Sequence, residues 1–142
     1  NAADSTAATA EEDGVVKMYT EFGAAVVDAE GKILAAVTDA TQPKISVSTA
    51  GEIVSADYKG TKMELGPDYG MVAHGNAIAE WDAQAKAFSA YTVGMTAADV
   101  RAIETTESNG HNITVDETLL ASCTMDITGM MAVIAQAADY AR

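Results

Sequence analysis

Residues 61–91 read TKMELGPDYGM followed by VAHGNAIAEWDAQAKAFSAY. A Gly/Pro turn leads into the strongest helical pattern of the chain. Ile78, Trp81, Ala85 and Phe88 recur at i, i+3, i+7 and i+10, the period of one helical face. Asn76 is the expected N-cap, with Glu80 and Asp82 near the first turn, where carboxylates suit the helix dipole. Gly66-Pro67-Asp68-Tyr69-Gly70 must be a sharply shaped loop, because glycine and proline punctuate regular structure. Upstream of this stretch the pattern is that of strands; downstream it is that of helices. The Trp81 helix is therefore the expected cover for an upstream sheet.

Working back, Val16, Met18, Thr20 and Phe22 alternate with Lys17, Tyr19, Glu21 and Gly23, a period near two that predicts one strand over residues 15–27. Asp28-Ala29-Glu30-Gly31 reads as a turn with Gly31 at positive φ. Ile33, Ala35 and Val37 define one face of the returning strand. Pro43 breaks it, since proline lacks the amide a ladder needs. A second hairpin, VSTAGEIVSADY (residues 47–58), resembles the first, VDAEGKILAAVTD (residues 27–39), as one supersecondary unit used twice. Residues 1–13 are small, polar and acidic, and read as a linker or tether. Residues 14–142 read as one domain.

Working forward, Gly94 ends the Trp81 helix. Thr96 and Asp99 form a capping-box pair opening a short helix, with Val100 and Ile103 inward. Residues 104–112 read as a polar loop. Asp116 starts a helical turn that buries Leu119 and Leu120. Asp126 or Thr128 caps a last, alanine-rich helix running through Met130 and Ile134 to Tyr140. The expected fold class is α+β: an antiparallel meander of about four strands packed against two longer helices and one short one.

The chain has 142 residues, 49% of them apolar, enough for a hydrophobic core. Much of that fraction is alanine, so the core must lean on Trp81, Phe22, Phe88 and the larger aliphatic side chains. The formal net charge is −13, from 21 acidic and 8 basic residues. Such a surface repels phosphate backbones and anionic lipid headgroups, which argues against nucleic-acid partners. The single cysteine, Cys123, lies between Leu120 and Met125 and reads as a buried, inert thiol. No apolar run approaches the roughly 18 residues a membrane span requires.

Catalytic chemistry is not signalled. His74 and His111 stand in no nucleophile motif, and two distant histidines do not make a zinc site. There is no EF-hand loop, P-loop or GxGxxG. The residues that suggest ligand contact are Lys62, Asp68, Tyr69 and Met71 around the central loop, with Trp81 on the adjoining helix.

VDAEGKIL in the first hairpin, TKMELGPDYGM, the Trp-bearing helix ending near VGMTAADV, and the terminal TLLASCTMDIT resemble the exported lipoproteins of clostridia and related Gram-positive anaerobes. The likeness runs from about residue 8 to residue 141. It implies a lipid-anchored extracellular surface protein with no assigned activity, whose signal, lipid-bearing cysteine and linker precede Asn1. Its domain would act as a non-catalytic binding module for a small molecule, a peptide or a surface protein, without a cofactor. The first hairpin is also similar to those of FMN-binding domains in surface electron-transfer proteins. Those carry S-G-A-T before the last helix. Ala121-Ser122-Cys123-Thr124-Met125 stands at the equivalent place without the motif's glycine and alanine. That resemblance implies FMN as cofactor and Thr124 as its attachment residue.

Overall fold

The computed structural model describes residues 4–141, an α+β chain. In order it has β1 (Gly14–Lys17), β2 (Thr20–Val27), β3 (Ile33–Thr41), β4 (Lys44–Val47), β5 (Ile53–Asp57), α1 (Lys62–Leu65), a 3-10 turn (Gly66–Tyr69), α2 (Met71–Gly75), α3 (Trp81–Tyr91), α4 (Ala97–Arg101), β6 (Thr105–Ser108), β7 (His111–Thr114), α5 (Glu117–Leu120) and α6 (Thr128–Tyr140). It forms two compact units. One comprises the chain up to Thr20 with Ala40–Leu65; the other comprises Glu21–Asp39 with the chain from Gly66 onward. The strands are distributed over three ladders, β1-β4-β5, β2-β3 and β6-β7.

The first unit is a three-stranded antiparallel sheet. β1 pairs β4 from Gly14↔Val47 to Lys17↔Lys44. The strand expected over residues 15–27 is interrupted: it breaks at Met18-Tyr19, where the Met18 N–H turns to the Pro43 carbonyl. β1 and β2 therefore serve different ladders. Of the expected tether, residues 1–3 lie outside the described residues. Further on, Thr6 bridges Val15 through two hydrogen bonds of 2.9 Å, and the Lys17 N–H donates to Ser5 Oγ at 3.0 Å. Gly14 makes this possible: a Cβ there would lie 2.5 Å from the Ala8 nitrogen.

The two hairpin turns share one hydrogen-bond scheme. Asp28 Oδ1 accepts the N–H groups of Glu30 and Lys32; Ser48 Oγ accepts those of Ala50 and Glu52. In each, the glycine (Gly31 at φ 80°, Gly51 at φ 83°) donates its N–H to the first residue's carbonyl. A short side-chain acceptor followed by a glycine three residues on is what this five-residue turn requires.

In the second unit the inner face of β2 is Glu21, Gly23, Ala25 and Val27, so Phe22 is turned out, 44% exposed, and is not the core residue expected of it. Glycine permits the approach of α6: a Cβ on Gly23 would sit 3.1 Å from Val133 Cγ2. On β3, Ile33 is buried but Val37 is exposed, and Thr38 and Ala40 take the buried positions instead. Gly94, at φ 84°, donates to the Ile33 carbonyl, and Ile33 donates to Met95, seating the turn after α3 against the start of β3. The core collects Ile33, Trp81, Ala85, Phe88, Val100, Leu119, Ile127, Met130 and Ile134. Leu120 is only half-buried. α4 packs along α6, α3 against α5 and the 3-10 turn.

Two caps follow the sequence closely, and at the third the N-cap of α6 is Ile127 rather than Asp126 or Thr128. Thr96 and Asp99 form the reciprocal box. Asp116 Oδ1 accepts from Thr118 and Leu119 at 2.9 Å each. Asp126 Oδ1 accepts the Thr128 N–H at 2.9 Å, one residue outside the Ile127 cap position. Residues 105–112 depart from the expected polar loop and, with residues 113–114, form the β6-β7 hairpin. Asn109 and Gly110 both take positive φ (52° and 81°), the conformation a two-residue hairpin turn demands.

Candidate functional site

The expected helix begins later than its apolar period suggests. α3 starts at Trp81, and Ile78 is exposed outside it. Asn76 is not an N-cap: at φ 51° it terminates α2, a left-handed conformation asparagine tolerates. The Glu80 carboxylate meets the N-terminus of α2 instead, accepting from Met71 N–H at 2.8 Å and Val72 N–H at 3.1 Å. This satisfies two donors a helix start leaves open.

The start of the central stretch is closed by local hydrogen bonds. Thr61 and Glu64 form a capping box on α1: Thr61 Oγ1 accepts the Glu64 N–H at 3.1 Å, and Glu64 Oε2 accepts the Thr61 N–H at 2.8 Å. The T-x-x-E signature of Thr61-Lys62-Met63-Glu64 carries this box. Lys62 is only 6% exposed and belongs to the first unit, where its Nζ donates to the Tyr19 hydroxyl at 3.5 Å and lies 4.6 Å from the ring centroid. That is cation–π distance. Its side chain is thus engaged within the fold. Trp81, 4% exposed, is a core residue and presents little surface to a ligand. Asp68 is exposed; Tyr69 and Met71 are half-buried. Burial raises the Tyr69 phenol above its ordinary value, so it stays protonated through neutral pH. The 3-10 turn carrying Asp68 and Tyr69 packs against α3, which brings those two residues to the Trp81 helix. Lys62 belongs to the other unit.

Thr124 is half-buried. Its backbone N–H donates to Gln84 Oε1 at 2.9 Å, and its hydroxyl is 3.5 Å from the same oxygen. Gln84 is fully buried, and its Nε2 donates to the Ala79 carbonyl at 2.8 Å. The segment before α6 is thereby tied to the start of α3. Cys123 is buried, as its neighbours suggest, and that burial pushes its thiol up to about 11 against a weaker opposing hydrogen bond from Met125. Among the described residues no three His, Cys, Asp or Glu side chains group as metal ligands, and no helix is long and apolar enough to cross a membrane.

Sequence reasoning placed β5 in the second hairpin but did not single it out as a contact surface. All five of its residues are exposed, and Ile53, Val54 and the adjoining Tyr58 are 71%, 57% and 61% accessible. It is an outer strand of its sheet, paired among the described residues with β4 alone. The other outer strand, β1, is covered by the Thr6 bridge and the Ser5 contact. The signal was present: Ile53-Val54 and Tyr58 sit in a run with no proline and one charge, Asp57, at its end.

No protein-family model, curated protein or solved structure matches the chain.

Proposed function

We propose that the chain is a non-catalytic interaction module of an extracellular, lipid-anchored surface protein, and that its contact surface is the β4-β5 hairpin rather than the Lys62–Trp81 region. The observation that carries this is β5: an outer strand with large apolar side chains in solvent and a backbone edge of the kind monomeric proteins normally cover. The lipoprotein likeness of TKMELGPDYGM and the Trp81 helix supports the surface address. A flavin-carrying role through Thr124 draws less support, because the Thr124 backbone and hydroxyl are both directed at Gln84.

The test pairs two measurements. The protein is titrated with FMN, and immobilised protein is challenged with the envelope fraction of its source cells, wild type beside Val54→Asp. A partner retained by the wild type and lost in Val54→Asp, with no FMN-dependent spectrum, supports the module. A flavin band that survives desalting, with capture indifferent to position 54, overturns it.

A further inference from the structure

We infer that the partner of β5 is a second copy of the same chain, joined by antiparallel pairing of β5 with β5 about a two-fold axis at Ala56. The inference rests on the interaction-module reading above and specifies its partner. Four observations lead to it. First, β5 is exposed along its whole length while the opposite edge of its sheet is already covered. Second, the hairpin is a neutral island: Lys44 and Lys59 balance Glu52 and Asp57 within residues 44–59, in a chain of net charge −13. Two copies meeting there bring no net charge to the contact.

Third, the regular part of the strand is self-complementary. β5 pairs β4 as Ser46↔Ser55 and Val47↔Ile53, so Val54 is a bulge without a partner on β4 and the straight segment is residues 55–57. A two-fold normal to the sheet relates antiparallel neighbours and keeps each residue opposite one of its own parity. Centring on Ala56 sets the methyl group against itself and Ser55 opposite the second copy's Asp57. That carboxylate is already partnered at 3.8 Å by its own Lys59. Fourth, the regular edge is a single short segment, residues 55–57, so the association is weak and concentration-dependent.

The position on the two-fold gives a specific test, because a single substitution there faces itself. Sedimentation velocity from about 10 μM to 1 mM should show reversible dimerisation of the wild type. Ala56→Asp and Ala56→Lys should each shift the midpoint at least tenfold upward at unchanged melting temperature. An equimolar mixture of the two should restore association. Ala56→Cys, whose added thiol is exposed while Cys123 is buried, should form a disulfide-linked dimer under mild oxidation faster than Glu30→Cys on the first hairpin turn. A wild type that stays monomeric to 1 mM, or a dimer indifferent to both charges and not restored by mixing, overturns the self-pairing. Should Val54→Asp still abolish capture of another partner, the interaction-module reading stands without it. Loss of both removes the two together.

Discussion

Gln84 Oε1 accepts the backbone N–H of Thr124 at 2.9 Å, forty residues along the chain, while Gln84 Nε2 donates to the Ala79 carbonyl at 2.8 Å. One fully buried amide thus satisfies a donor and an acceptor on two different segments. Replacing it by Ala leaves both partner groups unpaired, at about 1–3 kcal/mol each. We expect Gln84→Ala to lose about 2–4 kcal/mol in urea unfolding. Because the stronger bond uses the Thr124 backbone, Thr124→Ala should lose less than about 1 kcal/mol. Equal losses for the two variants would contradict this division.

Gly14 governs whether residues 6–8 follow β1. A Cβ would meet backbone atoms, Ala8 N at 2.5 Å and Thr6 O at 2.9 Å, which cannot swing aside as a side chain does. Gly14→Ala should release the Thr6–Val15 bridge. Hydrogen exchange at the Thr6 and Val15 amides reads this directly: protection present in the wild type should disappear in the variant. Core amides such as Phe88 should be unaffected.

Acid should loosen the junction between β7 and α6. Burial acts to raise the Asp126 carboxyl, but hydrogen bonds from the Thr128 hydroxyl and from the Asn112 and Thr128 backbone, with the charge of His111, hold it below the ordinary value. A carboxyl lowered on folding stabilises the fold above its unfolded pKa of about 3.9 and loses that contribution as pH falls through the folded value. Melting temperature measured from pH 6 to pH 2 should drop more steeply for wild type than for Asp126→Asn below about pH 4. Parallel curves would mean that Asp126 is not a linked group.

Cys123 should react only when the protein opens. Its thiol is buried and raised to about 11, so thiolate is scarce at neutral pH and the sulfur is shielded. Labelling by a disulfide reagent at pH 8 should follow unfolding, accelerating in step with urea. Rapid labelling in native buffer would place the segment before α6 in solvent.

Trp81→Ala should lose about 3–5 kcal/mol, the range for an aromatic side chain removed from a packed site. Asp68→Ala, at an exposed position of the adjoining turn, should stay within about 0.5 kcal/mol of wild type. Chemical denaturation of the pair separates the packing role of the helix from any role of the loop.

The features legible in the sequence are those closed within a few residues. The turns at Asp28–Lys32 and Ser48–Glu52, the Thr96–Asp99 box, the Asp116 cap and the burial of Trp81, Ala85 and Phe88 all depend on neighbours at fixed spacing. Their hydrogen bonds and helical period are set before any distant contact forms. Asn109-Gly110 belongs with them; its turn signal was masked by the polar composition around it.

Tertiary structure decided what local spacing leaves open. Alternation cannot say which face of β2 is covered; the closeness of Val133 to Gly23 turns Phe22 outward. Asparagine suits both a helix start and a left-handed stop, and the Glu80 carboxylate at α2 settles Asn76 as the stop. Residues 16–23 alternate with a period near two across the break, yet the Met18–Pro43 hydrogen bond divides residues 15–27 between two ladders. Lys62 looks like a surface cation until Tyr19 stands over it. Each choice compares alternatives of nearly equal local energy, and contacts between residues far apart in the chain decide among them.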